Sequence, residues 1–225
     1  MAKFKLTQAA NRERAAVVFD RLRKAYPGAA CTLDHQNPLE LLVATILAAQ
    51  CTDERVNIVT KTLFKKYRKP EDYVGAPIHE LEGDIRQCGF FRQKANSIAK
   101  TCRAILEGFG GKVPRTMEQL VELNGVGRKT ANVLLGECFD APAIIVDTHC
   151  RRLSNRLGFT KNSDPGKIEQ DLMKIWPQER WTLFSHCLVF HGRTVCLSRA
   201  PKCSECVIGD LCPFPQTNAG KKIAK

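Results

Sequence analysis

The apolar residues of this chain recur mostly at helical spacing. Between Arg12 and Tyr26, the residues Ala15, Val18, Phe19, Leu22 and Tyr26 fall on one stripe, the pattern of an amphipathic helix, and Pro27-Gly28 ends it. Pro38-Leu39-Glu40 opens a second helix, apolar nearly all round through Ala49, which belongs at the centre of a bundle. The helical period returns over Arg55 to Tyr67, Ile78 to Cys88, Arg92 to Glu107 and Thr116 to Leu123. Breaks fall at Lys69-Pro70, at Gly89 and at Gly108-Phe109-Gly110-Gly111. No segment alternates convincingly like a strand; Ala143 to Val146 is apolar but too short to carry a sheet. The predicted fold class is all-α.

A length of 225 residues fits one large domain or two of about 100 residues each, and 44% hydrophobic content is ample for packed cores. The longest apolar stretch, Leu41 to Ala49 broken only by Thr45, has the length of a buried helix, far below the roughly 18 residues of a membrane span. Thirty-five Lys and Arg against 23 Asp and Glu leave a formal charge of +12, which argues for a polyanionic partner. The basic residues are spread along the chain, over Arg21 to Lys24, Lys65 to Lys69, Arg151 to Arg156 and Lys221 to Lys225. That distribution predicts a folded basic surface rather than a disordered arm; a solvated surface with no partner is the plainer alternative.

The chain closes on Cys196-x6-Cys203-x2-Cys206-x5-Cys212. Four thiolates on a short segment are a complete ligand set for one metal centre, and both zinc and an iron–sulfur cluster accept four cysteines. The spacing matches neither the ferredoxin pattern nor paired C-x2-C knuckles, so ligand chemistry leaves the two open. Cys31, Cys51, Cys88, Cys102, Cys138, Cys150 and Cys187 show no such grouping and read as small hydrophobes. An odd cysteine count, a metal motif and no recognisable leader predict a reducing compartment inside the cell.

Leu123-Asn124-Gly125-Val126-Gly127-Arg128-Lys129-Thr130 lies between two helical patterns. Glycines two apart permit positive φ and close backbone approach, and the following helix begins with free N–H groups, so the turn can hold a phosphate without reading bases. Such glycines also serve a plain helix-to-helix turn. Lys129 falls in the first turn of that helix, where the macrodipole disfavours a cation; a neutral amine there is a nucleophile, while a phosphate contact or a solvated lysine is the simpler account. Further on, Ile144-Ile145-Val146-Asp147-Thr148-His149 runs from an apolar stretch into the helix Cys150 to Leu157, with Asp147 where an N-cap belongs. A cap at a cleft edge also presents a fixed anion to whatever binds there.

LNGVGRKTANVLL, IIVDTHCRRLSNRLG, the upstream ILAAQCTD (Ile46 to Asp53), FHGR (Phe190 to Arg193) and the cysteine terminus together resemble the endonuclease III family, from about Arg12 to Cys212. The resemblance implies a helix-hairpin-helix DNA glycosylase with two helical domains flanking a DNA-binding groove. One would be a six-helix barrel over residues 31–141. The other would join 1–30 to 142–225 and carry a [4Fe–4S] cluster on Cys196, Cys203, Cys206 and Cys212. Family members remove oxidised pyrimidines such as thymine glycol from double-stranded DNA in base excision repair. By that likeness Lys129 would attack C1′ and Asp147 would assist, giving a Schiff base and β-elimination, a glycosylase and an abasic-site lyase in one monomer.

The same resemblance gives Gln50 the gap left by an extruded base, although a buried helix end with a satisfied glutamine is the bland account. Phe90 falls where the family usually has an aliphatic wedge, and Gly125, Gly127, Arg128, Arg199 and Lys202 fall on DNA-contacting positions. Asn124 stands where the hairpin more often has proline, and Ala48 replaces a common hydroxyl residue. An adenine glycosylase, which shares hairpin, aspartate and cluster, is the nearest rival; Lys129 and the end of the chain at residue 225 argue against it. A non-catalytic DNA-binding protein is the rival from another class, and it would require neither Lys129 nor Asp147.

Overall fold

The computed structural model describes residues 7–223, of which all regular elements are helical. The first helix, α1 (Gln8–Ala25), starts ahead of its apolar stripe because the Thr7 hydroxyl accepts the Ala10 amide and two alanines extend the helix. Its stripe Ala15, Val18, Phe19 and Leu22 is buried. Helix α2 (Pro38–Leu47) begins on an Asn37 cap with proline in its first turn, and seven of its ten residues are buried, which makes it a central helix. It packs against α3 (Asp53–Lys66), α6 and α8 within a run that continues α4 (Pro70–Gly75), α5 (Ile78–Asp84), α6 (Phe91–Phe109), α7 (Met117–Glu122) and α8 (Arg128–Cys138). After these come α9 (Thr148–Arg156), α10 (Pro165–Met173), α11 (Trp181–Thr194) and α12 (Asn218–Ile223).

Several boundaries differ from the sequence pattern: α2 stops at Leu47 rather than Ala49, and α6 runs through Gly108 and Phe109, where a break is predicted. Ile78 to Cys88 is not one helix: α5 stops at Asp84 and a 3-10 turn, Arg86–Cys88, follows. The Asp84 carboxylate accepts Lys66 Nζ at 2.6 Å and the Tyr67 hydroxyl at 2.8 Å, which anchors the chain at that point. The break at Lys69-Pro70 is real, but Pro70 immediately opens α4, with Asp72 accepting the Arg68 and Lys69 amides.

The chain forms two compact units, Cys31–Ala141 and the N-terminal segment to Ala30 with everything from Pro142 onward. The core of the second is largely aliphatic, with an aromatic cluster within it. Trp176 stacks on Phe184 with centroids 3.9 Å apart, and Phe159 meets Trp176 edge-on at 4.8 Å. The run Ala143–Val146 is buried and extended, and hydroxyls of α11 bond its main chain, Thr182 Oγ1 accepting the Ala143 amide and Ser185 Oγ the Ile145 amide. Among the described residues no helix is long and apolar enough to cross a membrane.

Helices α9 and α11 pack closely at Gly192, where an added Cβ would stand 2.6 Å from His149 Nδ1 and 3.0 Å from an Arg152 nitrogen. Gly192→Ala should therefore lower stability by about 1–3 kcal/mol. Urea denaturation checks this; an unchanged midpoint would mean that the packing relaxes freely.

Candidate functional site

The hairpin between α7 and α8 is set against α6. Leu123 and Val126 are buried, the Val126 amide donates to the Leu123 carbonyl, and Thr101 Oγ1 donates to the Asn124 carbonyl. That last contact uses the main chain, so asparagine serves it as well as proline would. Gly125 has φ +77° and an added Cβ would meet Ser97, whereas Gly127 has φ −91° and is the N-cap of α8. Only the first glycine is there for its backbone angle. The second leaves α8 without a side-chain cap and leaves open space at its Cα, so a ligand can approach the helix end. Arg128 and Lys129 are the first two residues of α8 and both are exposed, while Ala131 to Leu135 bury the opposite face.

Asp147 caps α9: its carboxylate accepts the Cys150 amide at 2.7 Å, and its carbonyl accepts the Arg151 amide. It is half-buried and follows directly on the tethered run ending at Val146. The two ends of α9 do different work. Arg152 and Arg156, one turn apart, reach the segment of the first cysteine: Arg152 bonds the carbonyls of Gly192 and Cys196, and Arg156 those of Leu197 and Ser198. Arg156 also donates to Cys196 Sγ at 3.3 Å and lies 4.4 Å over the Phe214 ring. From α1, Arg14 bonds the Leu211 carbonyl and Arg21 bonds Val207 and Asp210. Four arginines thus hold the cysteine segment by its main chain. Part of the +12 is spent inside this unit rather than offered to a partner.

Cys196, Cys203, Cys206 and Cys212 line one cavity together with Phe214 and Pro215. Among the described residues no three His, Cys, Asp or Glu side chains converge closely enough for a single ion. His191, buried, stands between Tyr26 and Cys206, its Nε2 3.3 Å from the sulfur. Arg199 and Lys202, in the loop after the first cysteine, are exposed. Of the other cysteines, Cys88, Cys102, Cys150 and Cys187 are buried, and Cys31, Cys51 and Cys138 are half-buried.

Gln50 is not the satisfied residue of a buried helix end. It is exposed in the turn after α2 with φ +54°, and Phe90, 62% exposed, precedes α6 with φ +46°. Left-handed backbone at two non-glycine residues costs about 1–2 kcal/mol each. The fold therefore holds both side chains out at some expense. In the basic C-terminal tail, residues 224 and 225 lie outside the described residues. The arginines of α9 and α1 were hidden in the sequence because their charge read as surface; the i, i+4 spacing of Arg152 and Arg156 on the helix after Asp147 was the available signal.

An all-helical chain with a glycine hairpin ahead of an exposed lysine, a capping aspartate and a four-cysteine terminus defines a class, the helix-hairpin-helix proteins of base excision repair. A family model described as "HhH-GPD superfamily base excision DNA repair protein" matches residues 43–178. The endonuclease III of Synechocystis sp. is 51% identical over 211 residues, covering 93% of this chain and 96% of its own. Two solved structures agree. A non-covalent endonuclease III–DNA complex has a TM-score of 0.87 at 45% identity, covering 96% of this chain and 98% of its own. A trapped endonuclease III–DNA covalent intermediate with an estranged adenine has a TM-score of 0.88 at 44% identity, covering 98% and 100%. The chain belongs to the endonuclease III family within the HhH-GPD superfamily, and its class of activity is that of a DNA glycosylase and abasic-site lyase.

Arg156→Met should lower stability by about 2 kcal/mol, because it strands the Leu197 and Ser198 carbonyls and removes the contact to Phe214. Chemical denaturation followed by circular dichroism reads the change; a variant as stable as the parent would show that the arginine is dispensable to the loop.

Proposed function

We propose that this protein excises oxidised pyrimidines, thymine glycol among them, from double-stranded DNA and then cuts the strand, acting as a monomer through Lys129 and Asp147. The observation that carries the reading is an exposed lysine in the first turn of a helix whose glycine cap leaves room for a phosphate. A damaged nucleotide must leave the stack before its C1′ can be reached, which is less costly for a damaged base. The hairpin amides and Arg128 grip the backbone without base preference, as do Arg199 and Lys202. Gln50 fills the gap and offers its amide to the estranged base, and Phe90 wedges against a neighbouring one.

The Lys129 amine attacks C1′, the glycosidic bond breaks, and the base leaves with the electron pair and takes up a proton. Asp147, its carboxylate fixed by the Cys150 amide, stabilises the positive charge that develops on the sugar. Loss of the C1′–O4′ bond gives the Schiff base between Nζ and C1′. Removal of a C2′ proton then expels the 3′ phosphate by breaking the C3′–O bond, and water releases the lysine. A covalent intermediate trapped for a relative supports a route through a protein–DNA bond.

The four cysteines fit a [4Fe–4S] cluster. All four line one cavity, as ligands of a single centre must, and four thiolates are the donor set of such a cluster; membership of the endonuclease III family is what favours it over zinc. Burial pushes the Cys212 thiol up to about 12, so a thiolate there requires a cation beside it. The cluster would fix the loop that carries Arg199 and Lys202; base release and β-elimination transfer no net electrons. The free thiols suit a reducing compartment.

Lys129→Gln should retain DNA binding with its steep salt dependence while base release from a thymine glycol duplex falls roughly a thousandfold or more. Excision by that variant at the parent rate would remove Lys129 from the role of nucleophile.

A further inference from the structure

Lys94 is the most deeply buried lysine described, 5% exposed, and neither the hairpin nor the chemistry above uses it. It is the fourth residue of α6. Its Nζ donates to the Leu47 carbonyl and to the Cys88 carbonyl, each at 2.8 Å. These two residues are the last of α2 and the last of the 3-10 turn Arg86–Cys88, where carbonyls lack helical partners and the dipoles end negative. One side chain therefore terminates two elements at once. Three residues beyond Leu47 is Gln50, and two beyond Cys88 is Phe90, both in left-handed backbone. The Lys94 amide also donates to the Phe90 carbonyl at 3.0 Å.

We propose that Lys94 is a positioning residue for base extrusion: its amine head, bonded to the Leu47 and Cys88 carbonyls, holds in one register the two turns that present Gln50 and Phe90. The inference rests on the reading that those two side chains enter the duplex. Left-handed backbone at a glutamine and a phenylalanine persists only where surrounding contacts over-determine it. Lys94 supplies such contacts to both turns from a single rigid helix. Burial holds the amine's pKa below the usual lysine value. An ammonium has three N–H donors and a neutral amine two, so both carbonyls are served in either state.

Two readouts on Lys94→Met test this. In the free protein with its cysteine site loaded, amide hydrogen exchange should quicken by about tenfold or more in residues 48–52 and 88–91 and stay unchanged in the hairpin. In single-turnover assays, the rate on a paired thymine glycol duplex should fall relative to the rate on an abasic site held in an unpaired bubble, where no base needs extruding. The duplex-to-bubble ratio is expected to drop about ten- to hundredfold, since a misplacement near 1 Å can have that effect. General destabilisation would lower both rates together and leave the ratio alone. Unchanged exchange in both turns, or faster exchange with an unchanged ratio, overturns the proposal. The double variant Gln50→Ala/Phe90→Ala separates the two layers. If it leaves the ratio intact, the insertion reading fails and the extrusion role falls with it, while exchange still reports whether Lys94 pins the turns. If it lowers the ratio and Lys94→Met does not, only Lys94 is excluded. Should Lys94→Met not fold, Lys94→Gln, with one amide for two carbonyls, carries the same readouts.

Discussion

Main-chain groups at the ends of helices are the constraint on which this structure depends. A chain folded only into helices leaves up to four amides and four carbonyls unbonded at each helix end, and every buried one needs a partner. Here side chains supply many of them. Arg14, Arg21, Arg152 and Arg156 serve the carbonyls of the cysteine segment, Thr182 and Ser185 serve the amides of the extended run before Asp147, and Thr101 serves the hairpin. The places left open are as telling. The N-terminus of α8 has a glycine cap and no side chain, which is where a phosphate can take the role of the missing partner.

The residues proposed to act on DNA stand at those same ends. Lys129 stands at the start of α8, Asp147 at the start of α9, Gln50 just past α2 and Phe90 just before α6. A helix end is rigid on one side and free on the other, so it can hold a reactive group at fixed position while keeping it accessible. Helix α9 adds a further economy. Asp147 caps its first turn and Arg156 closes its last against Cys196, so the carboxylate and the cysteine loop share one rigid rod.

Much of this was legible before the structure. The apolar stripe of α1, the proline start and buried character of α2, the helices after Thr52 and Phe90, and the cap at Asp147 all follow from local patterns, which are short-range and periodic. The split of Ile78 to Cys88 did not, because it depends on Asp84 meeting Lys66 and Tyr67 from an earlier helix. The left-handed turn at Gln50 was hidden for a related reason: an alanine-rich run reads as continuing helix, whereas here local turn bonds and the tertiary contact from Lys94 to the Leu47 carbonyl end it. Lys94 was hidden because a basic residue in a basic chain gives no sign that it faces inward, and Arg152 and Arg156 had only their i, i+4 spacing to set them apart.

The central claim is that Lys129 forms the bond to DNA. The direct measurement is to reduce the protein with borohydride during turnover on a thymine glycol duplex, digest the covalent adduct and sequence the modified peptide by tandem mass spectrometry. The sugar remnant is predicted on Lys129, with no modified Lys94 or N-terminal amine. A remnant on any other amine, or excision without a trappable adduct, would contradict the account.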